Sequence, residues 1–274
     1  MNLLKIPCRT LLFTLLIVVS VLSAKPDQNR YSSNPDPDSI DSNFHLYLLI
    51  GQSNMAGRGL LDVEYKNLSD PKVLMLNKDN EWVIASHPLH FDKPKMAAVG
   101  PGLTFGIEMA KANPSVKIGL IPCAVGGTAI TSWVPSEMDP VTKKHPYDDA
   151  VTRLNTAMKS GVIKGIIWHQ GEANSSPERS SDYLDKLESL IGRLRIVAGD
   201  ENLPFVAGEL GRYRDNYKLV NDKLQLLPGI VPNTALASSD GLTHKGDNTH
   251  FDAASATELG KRFAAQMIHL QQNK

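Results

Sequence analysis

The chain has 274 residues, with 29 Lys and Arg against 29 Asp and Glu, so its formal net charge at neutral pH is zero. Hydrophobic residues make up 42% of it, which is an ordinary globular composition and argues against intrinsic disorder. Without a basic excess the chain cannot neutralise many phosphates, so we expect no nucleic-acid partner. The length allows one large domain or two small ones.

Residues 1–24 have the three parts of a secretory signal peptide. Lys5 and Arg9 precede an apolar run over Leu11–Leu22, and a small residue, Ala24, ends the segment. The run is shorter than the roughly 20 residues that a membrane-spanning helix needs, although an uncleaved N-terminal anchor is the alternative. Cleavage after Ala24 predicts a secreted or periplasmic, slightly acidic mature chain with no stable membrane span.

The mature chain divides into a leader and one domain. Residues 25–42 are rich in Pro, Asp, Asn and Ser, which predicts a flexible leader. Since neither a comparable linker nor a repeat of fixed period follows, residues 43–272 are predicted to form a single domain. Cys8 leaves with the signal, and Cys123 is then without an intramolecular disulfide partner; its apolar surroundings indicate a small buried hydrophobe.

Short apolar runs alternate with amphipathic segments, which predicts an α/β sandwich with a mostly parallel sheet. In chain order the predicted elements are strand Leu46–Ile50, strand Val73–Leu76, helix Gly102–Ala112, strand Lys117–Pro122, helix Tyr147–Met158, strand Gly165–His169, helix Tyr183–Val197, strand Pro204–Gly208, helix Tyr213–Leu227, strand Thr234–Ser238 and helix Ala253–Leu270. Several strands are apolar without period-two alternation, which is typical of strands buried on both faces.

Polar clusters mark the places where chemistry is expected. Three of them follow predicted strands, where ligands bind in folds of this class, and a fourth precedes the last helix. They are Gly51-Gln52-Ser53-Asn54-Met55, Gly126-Gly127-Thr128, Trp168-His169-Gln170-Gly171-Glu172 and Asp247-Asn248-Thr249-His250.

The first and last clusters contain the parts of a nucleophilic site. Ser53 follows an apolar strand directly, so it is a candidate nucleophile, although serine is also a common helix N-cap. Asp247 and His250 are three residues apart, which lets a carboxylate orient an imidazole that accepts a proton. The alternatives for this pair are metal ligation with His244 and a capping network. Because no recognised ligand spacing accompanies it, we expect neither a metal nor another cofactor.

The two middle clusters offer groups that can stabilise an oxyanion. Gly126 and Gly127 let backbone N–H groups approach closely, although a plain turn is the better explanation of the pair taken alone. The Gln170 amide can donate as well. Glu172 is either a second carboxylate near the histidine or a solvated surface group, and we expect His169 to satisfy a buried backbone group. Together the clusters supply the parts that acyl transfer needs.

The four clusters resemble the motif blocks of the sialate O-acetylesterase and acetylxylan esterase group, that is, carbohydrate esterase family six and its relatives among the SGNH/GDSL-type hydrolases. The blocks stand in the family's order over residues 45–265, and Gly100-Pro101-Gly102 with Phe105-Gly106 is similar to a further block. The resemblance implies a three-layer α/β/α sandwich that is SGNH-hydrolase-like and flavodoxin-like. It also implies metal-free removal of acetyl groups from sugars.

The resemblance assigns roles to individual residues. It implies that Ser53 is the nucleophile that forms an acetyl-enzyme, that His250 is the base and that Asp247 is its partner. Glu172 remains a second candidate for orienting His250. The implied oxyanion and substrate-binding groups are the N–H of Ser53, the turn at Gly126 and Gly127, the Gln170 amide, Gln52 and Glu172.

The expected substrate is an acetylated carbohydrate. A near-neutral exported domain favours acetylated xylan or a related plant-type glycan over O-acetyl sialic acids, because the chain lacks a charge excess that would attract an anionic sugar. The alternatives are a sialate O-acetylesterase and a non-catalytic sugar-binding relative. We expect selectivity to depend on the loops Asn77–Ala97 and Ser132–His145.

Overall fold

The computed structural model describes residues 40–273. The predicted signal peptide over residues 1–24 and the leader up to residue 39 lie outside the described residues. The first strand begins at Asp41, so residues 41 and 42 belong to the sheet rather than to the predicted leader. Within residues 40–273, no helix combines the length and apolar character that crossing a membrane requires.

Strands and helices alternate along the described chain. The strands are β1 (Asp41–Gly51), β2 (Val73–Leu76), β3 (Trp82–Ile84), β4 (Lys117–Pro122), β5 (Gly161–His169), β6 (Phe205–Gly208) and β7 (Thr234–Ala237). The α-helices are α1 (Ser53–Ala56), α2 (Val63–Lys66), α3 (Pro101–Ala112), α4 (Pro146–Ala157), α5 (Pro177–Ser180), α6 (Tyr183–Ala198), α7 (Lys218–Ile230) and α8 (Ala253–Gln272). Short 3-10 helices cover Ile130–Ser132, Glu172–Asn174 and Asp215–Tyr217.

The strands form one sheet in the order β3-β2-β4-β1-β5-β6-β7. Every neighbouring pair is parallel except β2 and β3, which are antiparallel. The central strand is β1, which pairs with β4 on one side and with β5 on the other. The predicted α/β class with a mostly parallel sheet is therefore confirmed.

Alternate residues of β1 enter two different apolar cores, because successive side chains of a strand point to opposite faces. Leu46 and Leu48 pack in the core that α4, α6 and α7 cover, whereas Tyr47 and Leu49 pack in the core that α3 and α8 cover. All four side chains are buried. Burial on both faces explains the unbroken apolar run, and it yields the three layers expected of the sandwich.

Several elements differ from the sequence-based expectation: the short helices α1, α2 and α5 were not predicted, β5 begins at Gly161 rather than at Gly165, and β3 and α7 differ as follows. Strand β3 was not predicted, because it has only three residues and lies at the sheet edge with Val83 and Ile84 exposed. The helix predicted from Tyr213 begins at Lys218 instead. The Tyr213 hydroxyl donates to the Thr249 carbonyl oxygen at 3.0 Å, and Asp215–Tyr217 form a 3-10 helix. The helical spacing of apolar residues therefore extends to positions that precede the α-helix.

Candidate active site

Ser53 lies at the carboxyl end of the central strand, where β1 turns into α1. Gly51 ends β1 with φ +132°, and a Cβ at this position would collide with the His169 carbonyl of β5. Only glycine allows the two strands to approach so closely. Ser53 is the first residue of α1 and the N-cap position belongs to Gln52, so the serine is not the cap of this helix.

The structure brings Ser53, His250 and Asp247 into one hydrogen-bonded series. His250 Nε2 lies 3.0 Å from Ser53 Oγ, and His250 Nδ1 lies 2.7 Å from Asp247 Oδ2. The other carboxylate oxygen of Asp247 accepts the backbone N–H groups of His250 at 2.8 Å and Thr249 at 3.0 Å. The loop before α8 is therefore folded around the Asp247 carboxylate, which holds the imidazole toward Ser53.

The charge on Asp247 determines which way the imidazole donates. Burial raises the pKa of Asp247, but hydrogen bonds from the backbone and side chain of His250 and from the Thr249 N–H more than offset it and lower the pKa to about 2. An ionised carboxylate only accepts, so His250 Nδ1 donates to it and Nε2 is left to accept the Ser53 proton. This series can activate a serine hydroxyl.

Glu172 forms neither a hydrogen bond nor an ion pair with His250. Its Oε1 accepts the Asn54 side-chain N–H at 2.6 Å and lies 3.8 Å from His169 Nδ1, and its side chain is 5% exposed. Of the two carboxylates that the sequence left open, Asp247 is thus the one bonded to His250. Glu172 is also not the solvated surface group considered above.

Asn54 is a site residue that the sequence reasoning did not single out. Its Nδ2 donates to the Thr249 carbonyl at 3.0 Å and its Oδ1 accepts the Phe251 N–H at 3.0 Å. Both neighbours of His250 are therefore fixed to α1, the helix that carries Ser53. The available signal was its position directly after Ser53 within a polar cluster.

The prediction that the Gln170 amide donates to an oxyanion is wrong in this structure. Gln170 is fully buried, and its Nε2 donates to Asn174 Oδ1 at 2.7 Å, the Thr128 carbonyl at 3.1 Å and Gln52 Oε1 at 3.2 Å. The amide N–H groups therefore meet acceptors within the protein, and neither is left for an oxyanion. Gln52 is likewise 4% exposed, and its oxygen also accepts the Ala173 N–H at 3.3 Å. Both glutamines join the loops around the site.

The turn at Gly126 and Gly127 lies against Ser53, but its two N–H groups differ. The Gly126 N–H donates to Asp92 Oδ2 at 2.8 Å, so the expectation that it faces an oxyanion is wrong. Gly127 is exposed with φ +96°, and its N–H has no acceptor among the described residues. The Ser53 N–H likewise has no acceptor in that part of the chain, as is usual in a first helical turn.

Two further side chains that the sequence singled out have structural environments. His169 is fully buried, its Nε2 donates to the Glu209 carbonyl at 3.0 Å, and burial lowers its pKa, which keeps the ring neutral. The expectation that it satisfies a buried backbone group is confirmed. Cys123 is 8% exposed, and burial raises the pKa of its thiol to about 11, as expected for a buried hydrophobe.

His244 holds the backbone of its own loop through one ring nitrogen. Its Nδ1 accepts the N–H groups of Gly246 at 2.9 Å and Asn248 at 3.1 Å, so that nitrogen is not free to share a metal with Asp247 and His250. Across residues 40–273, no three or more His, Cys, Asp or Glu side chains are grouped as metal ligands.

The mostly parallel α/β sandwich brings serine, histidine and aspartate into series at the end of its central strand, an arrangement that is able to carry out ester hydrolysis. A family model described as carbohydrate esterase, sialic acid-specific acetylesterase, matches residues 43–269. The chain belongs to this family, which confirms the resemblance noted in the sequence.

Known proteins agree with this assignment. A probable carbohydrate esterase of Arabidopsis thaliana, At4g34215, is 30% identical over 241 residues, which cover 80% of this chain and 88% of the relative. The X-ray structure of that protein matches with a TM-score of 0.74 and 28% identity, covering 84% of this chain and 99% of the other.

More distant structures share the fold. NanS matches with a TM-score of 0.68 at 15% identity, covering 86% of this chain and 100% of that one. XAC1771, a carbohydrate acetylesterase from Xanthomonas citri, matches with a TM-score of 0.67 at 19% identity, covering 84% of this chain and 57% of that one. Membership of the family supports a carbohydrate esterase activity for this chain.

Proposed function

We propose that the protein is a serine esterase that removes O-acetyl groups from carbohydrate through an acetyl-enzyme on Ser53. The observation that carries this proposal is the series from Asp247 through His250 to Ser53, with contacts of 2.7 and 3.0 Å at the end of the central strand. Membership of a carbohydrate esterase family supports a sugar ester as the substrate.

The reaction has two halves that use the same imidazole. Ser53 Oγ attacks the acetyl carbonyl carbon while His250 Nε2 takes its proton, and Asp247 stabilises the imidazolium. His250 then returns that proton to the departing sugar oxygen. In the second half His250 takes a proton from water, the hydroxide attacks the acetyl-enzyme, and acetate leaves as Ser53 regains its proton. The unoccupied N–H groups of Ser53 and Gly127 stabilise the oxyanion in both halves.

The lining of a neighbouring cavity favours a neutral sugar. A cavity of about 410 Å³ has Gly127, one of the two proposed oxyanion donors, in its lining. Its charged side chains are Asp139, Glu178, Asp182, Arg179 and Lys186. Asp139 is buried and hydrogen-bonded to Ser132 and Thr142, so the other four charges balance. A lining without a basic excess suits acetylated xylan or a related plant-type glycan better than a sugar that carries a carboxylate.

O-acetyl sialic acid is the second candidate substrate, since the matched family is described as sialic acid-specific. Acetate release measured side by side on acetylated xylan and on O-acetyl sialic acid separates the two. We expect the larger kcat/KM on the xylan, and a larger value on the sialic acid would reverse the assignment. Sugar binding by the wild type with no acetate release from either would indicate a non-catalytic sugar-binding protein.

Replacement of the proposed nucleophile tests the mechanism. We expect Ser53→Ala to lower kcat on p-nitrophenyl acetate by more than about a thousandfold, because loss of a nucleophile removes the covalent route. Ser180→Ala is the matched control, since Ser180 is also buried but lies in α5, away from His250. Unimpaired acetate release by Ser53→Ala would refute the proposal.

We further propose that residues 1–24 direct export and are removed after Ala24. The basic start and the apolar run described above support this. N-terminal sequencing of the protein recovered outside the cytoplasmic membrane is expected to begin at Lys25. A chain that keeps Met1 would contradict the cleavage.

A further inference from the structure

A buried ion pair lies beside the proposed active site. Arg58 Nη2 and Asp92 Oδ2 are 2.8 Å apart, and both side chains are 1% exposed. Arg58 Nε and Asp92 Oδ1 are buried with no hydrogen-bond partner in the described part of the chain. A buried pair with unmet hydrogen bonds is a poor way to stabilise a fold, so its contacts indicate another role.

Asp92 Oδ2 connects three segments of the chain. It accepts both the Arg58 guanidinium at 2.8 Å and the Gly126 N–H at 2.8 Å. Arg58 Nη1 in turn donates at 2.7 Å to the carbonyl of Gly57, the C-cap residue that follows α1. Burial raises the pKa of Asp92, but Arg58 and the Gly126 N–H more than offset this, so the pKa is lowered and the carboxylate is ionised.

The chain after β4 keeps its hydrogen bonds to β1. The Cys123 N–H donates to the Leu49 carbonyl at 2.9 Å, and the Val125 N–H donates to the Gly51 carbonyl at 3.0 Å. These bonds continue the parallel ladder as far as the residue before the glycine turn.

On the side of this segment that faces away from β1, side chains rather than a strand accept the backbone N–H groups. The Ala124 N–H donates to His90 Nδ1 at 3.2 Å, and the Gly126 N–H donates to Asp92 Oδ2 at 2.8 Å. Strand β2, the neighbour of β4 on this side, has already ended at Leu76. Asp92 therefore supplies the last hydrogen bond that holds the chain before it turns over Ser53.

Gly126 is confined between the ion pair and Ser53. A Cβ on Gly126 would lie 2.6 Å from Arg58 Nη2, 2.9 Å from Asp92 Oδ2 and 3.3 Å from Ser53 Cβ. Gly126 is therefore packed closely between the ion pair and the serine, with no room for a side chain. Small displacements of an oxyanion donor cost much of its effect, because such donors act only in the right geometry.

We propose that Asp92, held by Arg58, is a positioning residue that sets the place of the Gly126 and Gly127 turn over Ser53 by accepting the Gly126 N–H. The Gly127 N–H thereby meets the oxyanion, while Asp92 never touches the substrate. This role rests on the proposed serine esterase function. Its effect belongs to kcat rather than KM, since the turn acts on the transition state.

A pair of charge-balanced variants tests this role. Arg58→Met/Asp92→Asn removes both charges but keeps an oxygen that accepts the Gly126 N–H, whereas Arg58→Met/Asp92→Leu removes both charges and the acceptor. Neither variant leaves a lone buried charge. With p-nitrophenyl acetate we expect the Asn variant to keep kcat within about tenfold of the wild type. The Leu variant should lose a hundredfold or more with KM nearly unchanged, of the order seen when one oxyanion donor is lost.

Other outcomes overturn the role. Equal kcat values for the two variants, whether high or low, would mean that the Gly126 acceptor does not matter, and a loss confined to KM would place the effect on binding. Thermal unfolding checks that both variants fold, and Arg58→Met/Asp92→Ala replaces the Leu variant if the larger side chain prevents folding. An inactive Ser53→Ala protein together with equal variants refutes only the positioning role, whereas an active Ser53→Ala protein refutes the serine mechanism itself.

Discussion

At the scale of single residues, Gln170 shows how a buried side chain can shape a site without reaching the substrate. Its one amide nitrogen donates to Gln52 before the serine, to Thr128 after the glycine turn and to Asn174 in a 3-10 helix. The segments that carry the nucleophile and the oxyanion turn are thus joined through a single side chain.

Replacing Gln170 with alanine is expected to weaken both the fold and the reaction. Acceptors left unpaired in a dry interior cost about 1–3 kcal/mol, so the urea midpoint should fall along with kcat. Gln225→Ala is the control, because the Gln225 amide makes one long contact of 3.4 Å to Glu209 away from the site. If Gln170→Ala kept the urea midpoint of the wild type and lost only kcat, Gln170 would instead be an oxyanion donor.

The residue scale also shows which parts of a site a sequence can predict. Asp247 and His250 are close along the chain, so their contact follows from a local turn. Glu172 binds Asn54, a partner from a distant segment, and no local pattern indicates such a choice. Arg58 and Asp92 also come from separate segments, and no local pattern indicates their contact, which is why neither was a candidate.

At the scale of elements, the start of α8 determines where His250 stands. Asp252 caps the helix by accepting the Ser255 N–H at 2.7 Å, and it also accepts the Thr243 hydroxyl at 2.5 Å. The start predicted from apolar spacing, Ala253, is confirmed, and Asp252 before it is a residue type that favours the N-cap. The start predicted for α7 is wrong, and no comparable side-chain cap marks the observed one.

Removing the α8 cap is expected to affect both stability and turnover. We expect Asp252→Ala to lower the free energy of unfolding by about 1 kcal/mol, as for other lost N-caps, and to lower kcat as the His250 loop loosens. Asp252→Asn caps equally well and should retain both properties. Urea unfolding and p-nitrophenyl acetate kinetics measure them, and equal stability for the two variants would contradict the cap's role.

At the scale of the whole molecule, three buried histidines make stability depend on pH. Burial lowers the pKa of His87 to about 4 and that of His90 to about 3, and it also lowers the pKa of His169. In the unfolded chain each ring titrates near 6.5. As the pH falls below that value, these rings become protonated in the unfolded state but stay neutral in the folded state. Their contribution to the free energy of unfolding is therefore full above pH 6.5 and is lost progressively as the pH falls toward 4.

His87 offers a direct check of this pH dependence. Both of its ring nitrogens are buried without a hydrogen-bond partner among the described residues, so His87→Leu leaves no polar group unpaired. Each such ring contributes up to about 1.4 kcal/mol per pH unit. The slope of unfolding free energy between pH 6 and 5 should therefore be smaller in His87→Leu by about that amount in urea titrations. An unchanged slope would mean that His87 is protonated in the folded protein.

The fold as a whole could be predicted further than its site. Runs such as Leu46–Ile50 are buried on both faces, so their composition alone indicates a parallel sheet. The sequence contains no comparable signal for the order of the strands, because the pairing of β1 with β4 and β5 depends on contacts between distant segments. The edge strand β3 was missed because it has only three residues, two of which are exposed.

The central place of β1 also determines when the molecule can become active. It is the first of the described strands, but both strands that pair with it come much later in the chain. Phe44 pairs with Lys117 of β4, and Leu48 pairs with Ile166 of β5. Such long-range pairing makes folding slow, while synthesis delivers the N-terminal part first. A growing chain therefore exposes Ser53 long before its base, His250, has been made, so the proposed chemistry can begin only when nearly the whole chain is complete.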